Sequence, residues 1–401
     1  MIAFAPNEDQ RMMIDAARQL GRTLAGRIRE FEKAAALPAD VRKTAHDMGL
    51  GTAYLPEAVG GAGLGMVTAV LLEEEIAAGD PAAAFGLGGP GAFGLAMTEL
   101  GTAEQAKEQL GPFFGEGGHD LAGAVAFGEP SPHRERAGFS TLAKKAGDGF
   151  QLFGKKAFVQ DAERADRFVV FAQLDESKGY DGLGAFVVHK GDKGVAVTPR
   201  VRTLGLDVAS FGGLELDGAR ASMQLLGGGD LRRATVRFFA KHGLLIAARC
   251  VGLSRAAFDV TRDYVEGRRA FGKPVGHFQA VAFTVADRAM DVEAACALLW
   301  RAAWLWDSGA DENAALLASA RAVAHAHQTA MRCGDDGVQL HGGAGFMRDY
   351  PVEKYMRDAK QLALCGLPSA CAEQLAAAIE LGREPDLGLV LPWPESQSAF
   401  V

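Results

Sequence analysis

The chain has 401 residues, enough for two or three domains and a large buried core. Apolar residues make up 48% and charged residues 23%, as in ordinary globular proteins, and the formal net charge is −8 with no basic block. A negative chain without a basic face lacks the electrostatic footprint of a nucleic-acid binder, so that class is set aside.

The start, Met1-Ile2-Ala3-Phe4-Ala5-Pro6-Asn7-Glu8-Asp9, has neither a basic n-region nor an apolar h-region, and no later stretch has 18 uncharged apolar residues. A cytoplasmic protein with no membrane span is expected. The five cysteines (Cys250, Cys296, Cys333, Cys365, Cys371) are scattered without CxxC spacing, so reduced thiols are expected.

Residues 1–120 read as helices. Asn7 or Asp9 caps a helix through Ile14, Ala17 and Leu20, with Arg18 and Arg22 on its polar face, and a second helix follows the glycine-rich break over Val67–Ala78. Over 121–230 the period changes. Phe168-Val169-Val170-Phe171, Ala185-Phe186-Val187-Val188 and Leu214-Glu215-Leu216 read as short strands of a β-barrel or sandwich. Long helices return over 231–385. Val281, Val285, Ala289, Val292, Cys296, Leu299, Ala303 and Trp306 form one apolar seam ended by Asp307-Ser308-Gly309, which points to a helical bundle. A proline-punctuated tail, 386–401, closes an α+β chain.

The order of motifs resembles the acyl-CoA dehydrogenase family over nearly the whole chain. Leu55-Pro56-Glu57 with Gly60-Gly61-Ala62-Gly63 fits its N-terminal region. Ala126-Phe127-Gly128-Glu129-Pro130 is similar to its flavin-contacting "LTEP", and Gly154-Lys155-Lys156-Ala157-Phe158-Val159 to its "NGxKxFIT" strand. The most specific matches are Arg268-Arg269-Ala270-Phe271-Gly272-Lys273-Pro274 with Gln279, and Gln339-Leu340-His341-Gly342-Gly343 leading to Tyr350-Pro351-Val352-Glu353-Lys354 and Arg357-Asp358-Ala359-Lys360.

The resemblance implies an N-terminal helical domain, a middle β-barrel or sandwich domain and a C-terminal four-helix bundle, with FAD as cofactor, an acyl-CoA thioester as substrate, an electron-transfer flavoprotein or other acceptor as redox partner, and a homo- or hetero-tetramer. It implies flavin contacts at Phe127, Gly128, Arg134, Phe158 and Gln160. Contacts to FAD held by a neighbouring subunit fall to Arg268, Phe271, Gln279, Gln339, Gly342 and Gly343. An arginine fork suits a pyrophosphate because its planar donors bind two oxygens at once.

This family uses a carboxylate to remove the α-proton while the flavin takes the β-hydrogen. In this sequence the usual glutamate address holds Gly366, with Cys365 beside it, and the alternative address on the helix before Arg268 holds His242. Pro132-His133-Arg134-Glu135, Gly128, Gln160 and Pro368 also depart from the family pattern, and Arg134 is a substitute phosphate donor. His242 is the leading replacement for the base, with Cys365 and Glu129 behind it; His325 and His327, two apart, do not face one site on a helix. Three readings remain open: an acyl-CoA-oxidising flavoprotein with a displaced base, a non-catalytic subunit of a mixed tetramer, and a non-dehydrogenase or FAD-free member of the fold.

Overall fold

The computed structural model describes residues 6–130, 138–385 and 387. Helix α1 (Glu8–Ala25) starts at a reciprocal cap in which Asn7 Oδ1 accepts from Gln10 N–H and Gln10 Oε1 accepts from Asn7 N–H, so Asn7 rather than Asp9 is the cap. Its Ile14, Ala17 and Leu20 are buried, and Arg18 bonds Glu75 on α4 (Gly65–Gly79). Between them lie α2 (Ile28–Ala34) and α3 (Ala39–Asp47); α5 (Pro81–Gly86), α6 (Gly91–Leu100) and α7 (Ala103–Leu110) follow.

Among the described residues, eight strands form one mixed sheet: β1 (Gly123–Ala126), β2 (Leu142–Ala146), β3 (Gly149–Gln160), β4 (Arg167–Gln173), β5 (Leu183–His189), β6 (Val195–Thr198), β7 (Phe211–Arg220) and β8 (Met223–Leu225). Their order is β6-β7-β3-β2-β4-β5-β8, and β1 runs parallel to β4. The uninterrupted apolar run in β4 follows from burial on both faces. Phe168 and Val170 join a core made only of residues from the sheet region, whereas Val169 and Phe171 pack into the core shared with the helices.

The C-terminal region comprises α8 (Leu231–Gly267), a short hairpin of β9 (Arg269–Ala270) and β10 (Lys273–Pro274), α9 (Gln279–Asp307), α10 (Glu312–Leu340), α11 (Val352–Leu362) and α12 (Ser369–Glu380). The seam of α9 divides. Val292, Leu299 and Ala303 are buried, but Val281, Val285 and Ala289 are only half-buried, and Phe283, Met290 and Trp304 project outward.

Two long-range contacts fix how these regions meet. Asp307, which ends α9, accepts from the Met66 and Val67 N–H groups and so caps α4 from 240 residues away. Lys354 is wholly buried with Nζ 2.7 Å from Asp80 and 2.6 Å from Asp358. No helix among the described residues is long and apolar enough to cross a membrane.

Candidate functional site

A cavity of about 640 Å³ lies where α4, α5, the sheet and α8 converge. Its wall on α8 is set by helical spacing: Phe238, His242, Leu245 and Arg249 advance by 4, 3 and 4 residues and share one face. The opposite wall comes from β3. The β3–β7 register shifts between Lys156 and Val159, and at this bulge Phe158 adopts a φ of +53°. A bulge re-aims a side chain, and here it leaves the Phe158 ring 65% exposed at the cavity.

Of the expected cofactor residues, Phe127, Gly128, Phe158 and Gln160 line this cavity. Phe127 also anchors a cluster with Phe139, Phe171 and Phe239 at 4.8–5.1 Å between ring centroids. A Cβ on Gly128 would lie 3.3 Å from the Ala157 carbonyl oxygen, so glycine keeps the two backbones close. Arg268, Gln339, Gly342 and Gly343 line a separate open groove with Tyr264, His341 and Tyr350. Phe271, 95% exposed, and Gln279 lie outside both linings, and Arg134 lies outside the described residues.

The base candidates separate clearly. His242 is in the cavity beside Gly366, its ring stacked on Phe238 and its Nδ1 buried without a hydrogen-bond partner. Burial, with Arg249 assisting, pushes its pKa down to about 3, so the imidazole is neutral. Cys365 also lines the cavity, but burial pushes its thiol up to about 12, which removes the thiolate a nucleophile needs.

Glu129 is excluded as a base by its bonds. It accepts from Ser140 N, Thr141 N and Lys156 Nζ. Burial alone would raise its pKa, but Lys156 and these donors hold it below the ordinary carboxylate range. The pair is structural: Lys156 also bonds the Phe127 carbonyl and so fixes the segment after β1 that carries Phe127 and Gly128. His325 and His327 are absent from the cavity lining, and His327 bonds Ser369.

Three cavity residues escaped the sequence reading. Asp161, also at positive φ, is buried, and burial raises its carboxyl to about 6 against the opposing pull of Arg164 and Arg249. Glu73 and Arg249 form an ion pair across the cavity from α4 to α8, with Nε to Oε2 at 2.7 Å. The available signal was a charged residue, Arg249, inside the apolar run Leu244–Val251, two turns from His242 and on the same face.

Sequence profiles of three acyl-CoA dehydrogenase domains match the chain: the N-terminal domain over 7–115, the middle domain over 124–219 and the C-terminal domain over 231–366. Cyclohex-1-ene-1-carbonyl-CoA dehydrogenase of Geobacter metallireducens is 32% identical over 356 residues, covering 88% of this chain and 93% of the relative. The probable acyl-CoA dehydrogenase FadE25 of Mycobacterium tuberculosis is 31% identical over 362 residues, covering 89% and 91%. The structure of butyryl-CoA dehydrogenase from Megasphaera elsdenii superposes with a TM-score of 0.87 at 26% identity, covering 95% of this chain and all of that one.

Proposed function

Because the chain belongs to the acyl-CoA dehydrogenase family, we propose that it is an FAD-dependent oxidoreductase that desaturates an acyl-CoA thioester with the customary base replaced. One observation carries this reading: a single cavity brings the flavin-contact residues Phe127, Gly128, Phe158 and Gln160 together with both base addresses, His242 and Gly366.

The residues fit the cofactor. The Phe158 ring is presented to the cavity by a bulge, Gln160 offers an amide, and the backbone stays open at Gly128. Arg268, Gln339, Gly342 and Gly343, on an exposed groove, would meet FAD held by a neighbouring subunit. Bound FAD supplies the acceptor for the β-hydrogen.

The chain supplies the rest. His242 would take the α-proton, a role supported by its neutral ring and its unpartnered Nδ1. A base of such low pKa takes a C–H proton slowly unless negative charge builds up beside it in the loaded site. Phe238, Phe239 and Leu245 keep water from the reacting carbons.

The outward apolar face of α9 (Phe283, Met290, Trp304) and the exposed Phe271 support the tetramer that the family resemblance implies, in a cytoplasmic setting with an electron-transfer flavoprotein or other acceptor. A second reading is kept by the same geometry. Both base addresses lack a carboxylate while the partner-facing groove is intact, which suits a non-catalytic subunit that completes the FAD site of a glutamate-bearing homologue.

The test is the visible spectrum of the protein purified alone, followed by anaerobic addition of acyl-CoAs. Bleaching of a bound flavin by one thioester supports the oxidoreductase reading. A yellow protein that no thioester bleaches, but that raises the activity of a co-purified homologue, supports the second. A colourless protein on which FAD cannot be loaded overturns the oxidoreductase reading, and if it also leaves the activity of the homologue unchanged it overturns the second as well.

A further inference from the structure

Resting on the acyl-thioester reading above, we propose that the acyl group taken by this cavity carries a neutral hydrogen-bonding oxygen, a hydroxyl or carbonyl, at the end remote from the thioester. The Arg249–Glu73 pair, together with Tyr54, would read it.

The cavity is not the hydrocarbon sleeve that an unsubstituted fatty chain requires. Its walls are apolar at Ile76, Ala84, Phe85, Phe238 and Leu245, yet Glu73, Arg249 and Tyr54 open onto it. Arg249 Nε and Nη2 bond Glu73 Oε2 and Oε1 at 2.7 and 3.2 Å, and the guanidinium lies 4.2 Å above the Phe85 ring. Both side chains keep a small exposure, 12% and 14%, and both line the cavity. Nη1 is not engaged in these bonds, so the pair still offers N–H donors. Tyr54 donates to the Gly91 carbonyl at 3.3 Å, and burial with the Glu73 charge raises its pKa, so it stays a neutral phenol with an oxygen able to accept.

Placement gives the position of the oxygen. Arg249 follows His242 by two helical turns on one face, roughly 10 Å along the axis at about 1.5 Å per residue. A thioester whose α-carbon lies beside His242 and Gly366 therefore brings carbons further down its chain to the pair, well beyond the reacting ones.

Charge decides the class of group. A hydrocarbon end would displace water from the ion pair and leave its spare N–H groups without partners, which is costly in a closed site. A carboxylate end would add a second negative charge beside Glu73, whose own charge already balances Arg249. A neutral oxygen accepts from the guanidinium, donates or accepts at Tyr54, and leaves the pair intact.

The experiment is anaerobic titration calorimetry of the purified protein with hexanoyl-CoA, 6-hydroxyhexanoyl-CoA and adipyl-CoA, with the flavin spectrum followed in parallel. The expected result is binding of the hydroxyacyl thioester about tenfold or more tighter than either other ligand, the scale of one hydrogen bond to a charged group. The double substitution Glu73→Gln with Arg249→Met should remove that preference while hexanoyl-CoA still binds. Tyr54→Phe, a milder change, should weaken the preference severalfold even if the double variant does not fold. Equal or tighter binding of hexanoyl-CoA, a preference for adipyl-CoA, or a hydroxyl preference that survives in the variants would each overturn the proposal. Hydroxyacyl binding without bleaching by any thioester would leave this assignment standing and remove the oxidoreductase reading instead. Binding of none of the three would overturn this assignment.

Discussion

His242 adjoins Gly366: a Cβ built on Gly366 would lie 3.5 Å from His242 Nδ1, in ordinary contact, while Ile246 Cγ1, at 2.8 Å, occupies the space such a side chain would need. The two positions at which the family resemblance implies a base are thus neighbours, one on α8 and one on the turn after α11. Gly366 also sits at a φ of +64°, where a side chain is strained. The site can regain a carboxylate from α8 without backbone strain but not from the turn. His242→Glu should raise the rate of flavin bleaching by a good substrate by about 10²-fold or more, the usual range for a positioned base. Gly366→Glu should lower both the rate and the melting temperature. Stopped-flow absorbance on both variants checks this, and a gain from Gly366→Glu alone would reverse the assignment.

His242 and His327 make stability sensitive to acid. An imidazole in the unfolded chain titrates near about 6.5. In the fold, burial pushes His242 down to about 3 and His327 to about 4. The unfolded chain therefore binds more protons than the folded one in that window, and stability falls as the pH drops from about 6.5 toward 3. Melting curves of the protein and of His242→Gln at stepped pH should show a shallower acid-side decline for the variant. Parallel curves would mean that His242 is not buried as a neutral group.

Among the described residues, Lys354 is the only cation that bonds the buried Asp80 and Asp358 carboxylates, and all three side chains are fully buried. Lys354→Met would leave two carboxylates facing each other without a counter-charge. Removing one member of such a group costs about 3–5 kcal/mol. Denaturant unfolding should show a loss of that order, and a loss below about 1 kcal/mol would mean that the two carboxyls share a proton in the native protein.

Arg268 stands on an exposed groove, 95%-exposed Phe271 follows three residues on, and neither bounds the central cavity. If they hold FAD of a neighbouring subunit, Arg268→Ala should weaken retention of flavin on dialysis by about tenfold, the scale of a charge-assisted contact. It should leave the fold, read by circular dichroism, unchanged. Phe158→Ala should change the visible flavin spectrum instead, because that ring faces the cavity. Retention unaffected by Arg268→Ala would remove the groove from the cofactor site.

Much of the architecture was legible in local patterns. Asn7, Val67–Ala78, Phe168–Phe171 and the stop at Asp307 all fall where capping, periodicity and turn chemistry place them. The seam of α9 misled in one respect: period marks an apolar face but not what covers it, and the half around Val281–Ala289 is only partly covered within the chain. Of the candidate site, Phe127, Gly128, Phe158, Gln160 and His242 were legible by resemblance and meet in one cavity. Asp161, adjacent to Gln160, was passed over because its ionisation follows from burial, which one residue's neighbours in sequence do not reveal.

By itself the sequence determined the succession of helices, strands and helices, the motifs of the family, and the absence of a carboxylate at 366 and 242, because each is carried by residues within a few turns or strands of one another. Only the tertiary structure decided that Gly366 adjoins His242, that Glu73 reaches Arg249 across 176 residues, and that Glu129 is consumed by Lys156. Those outcomes depend on which faces pack together and which groups lose their water on packing. Short-range spacing specifies a face, but the partner of that face and the charge it can carry are set by the closed core.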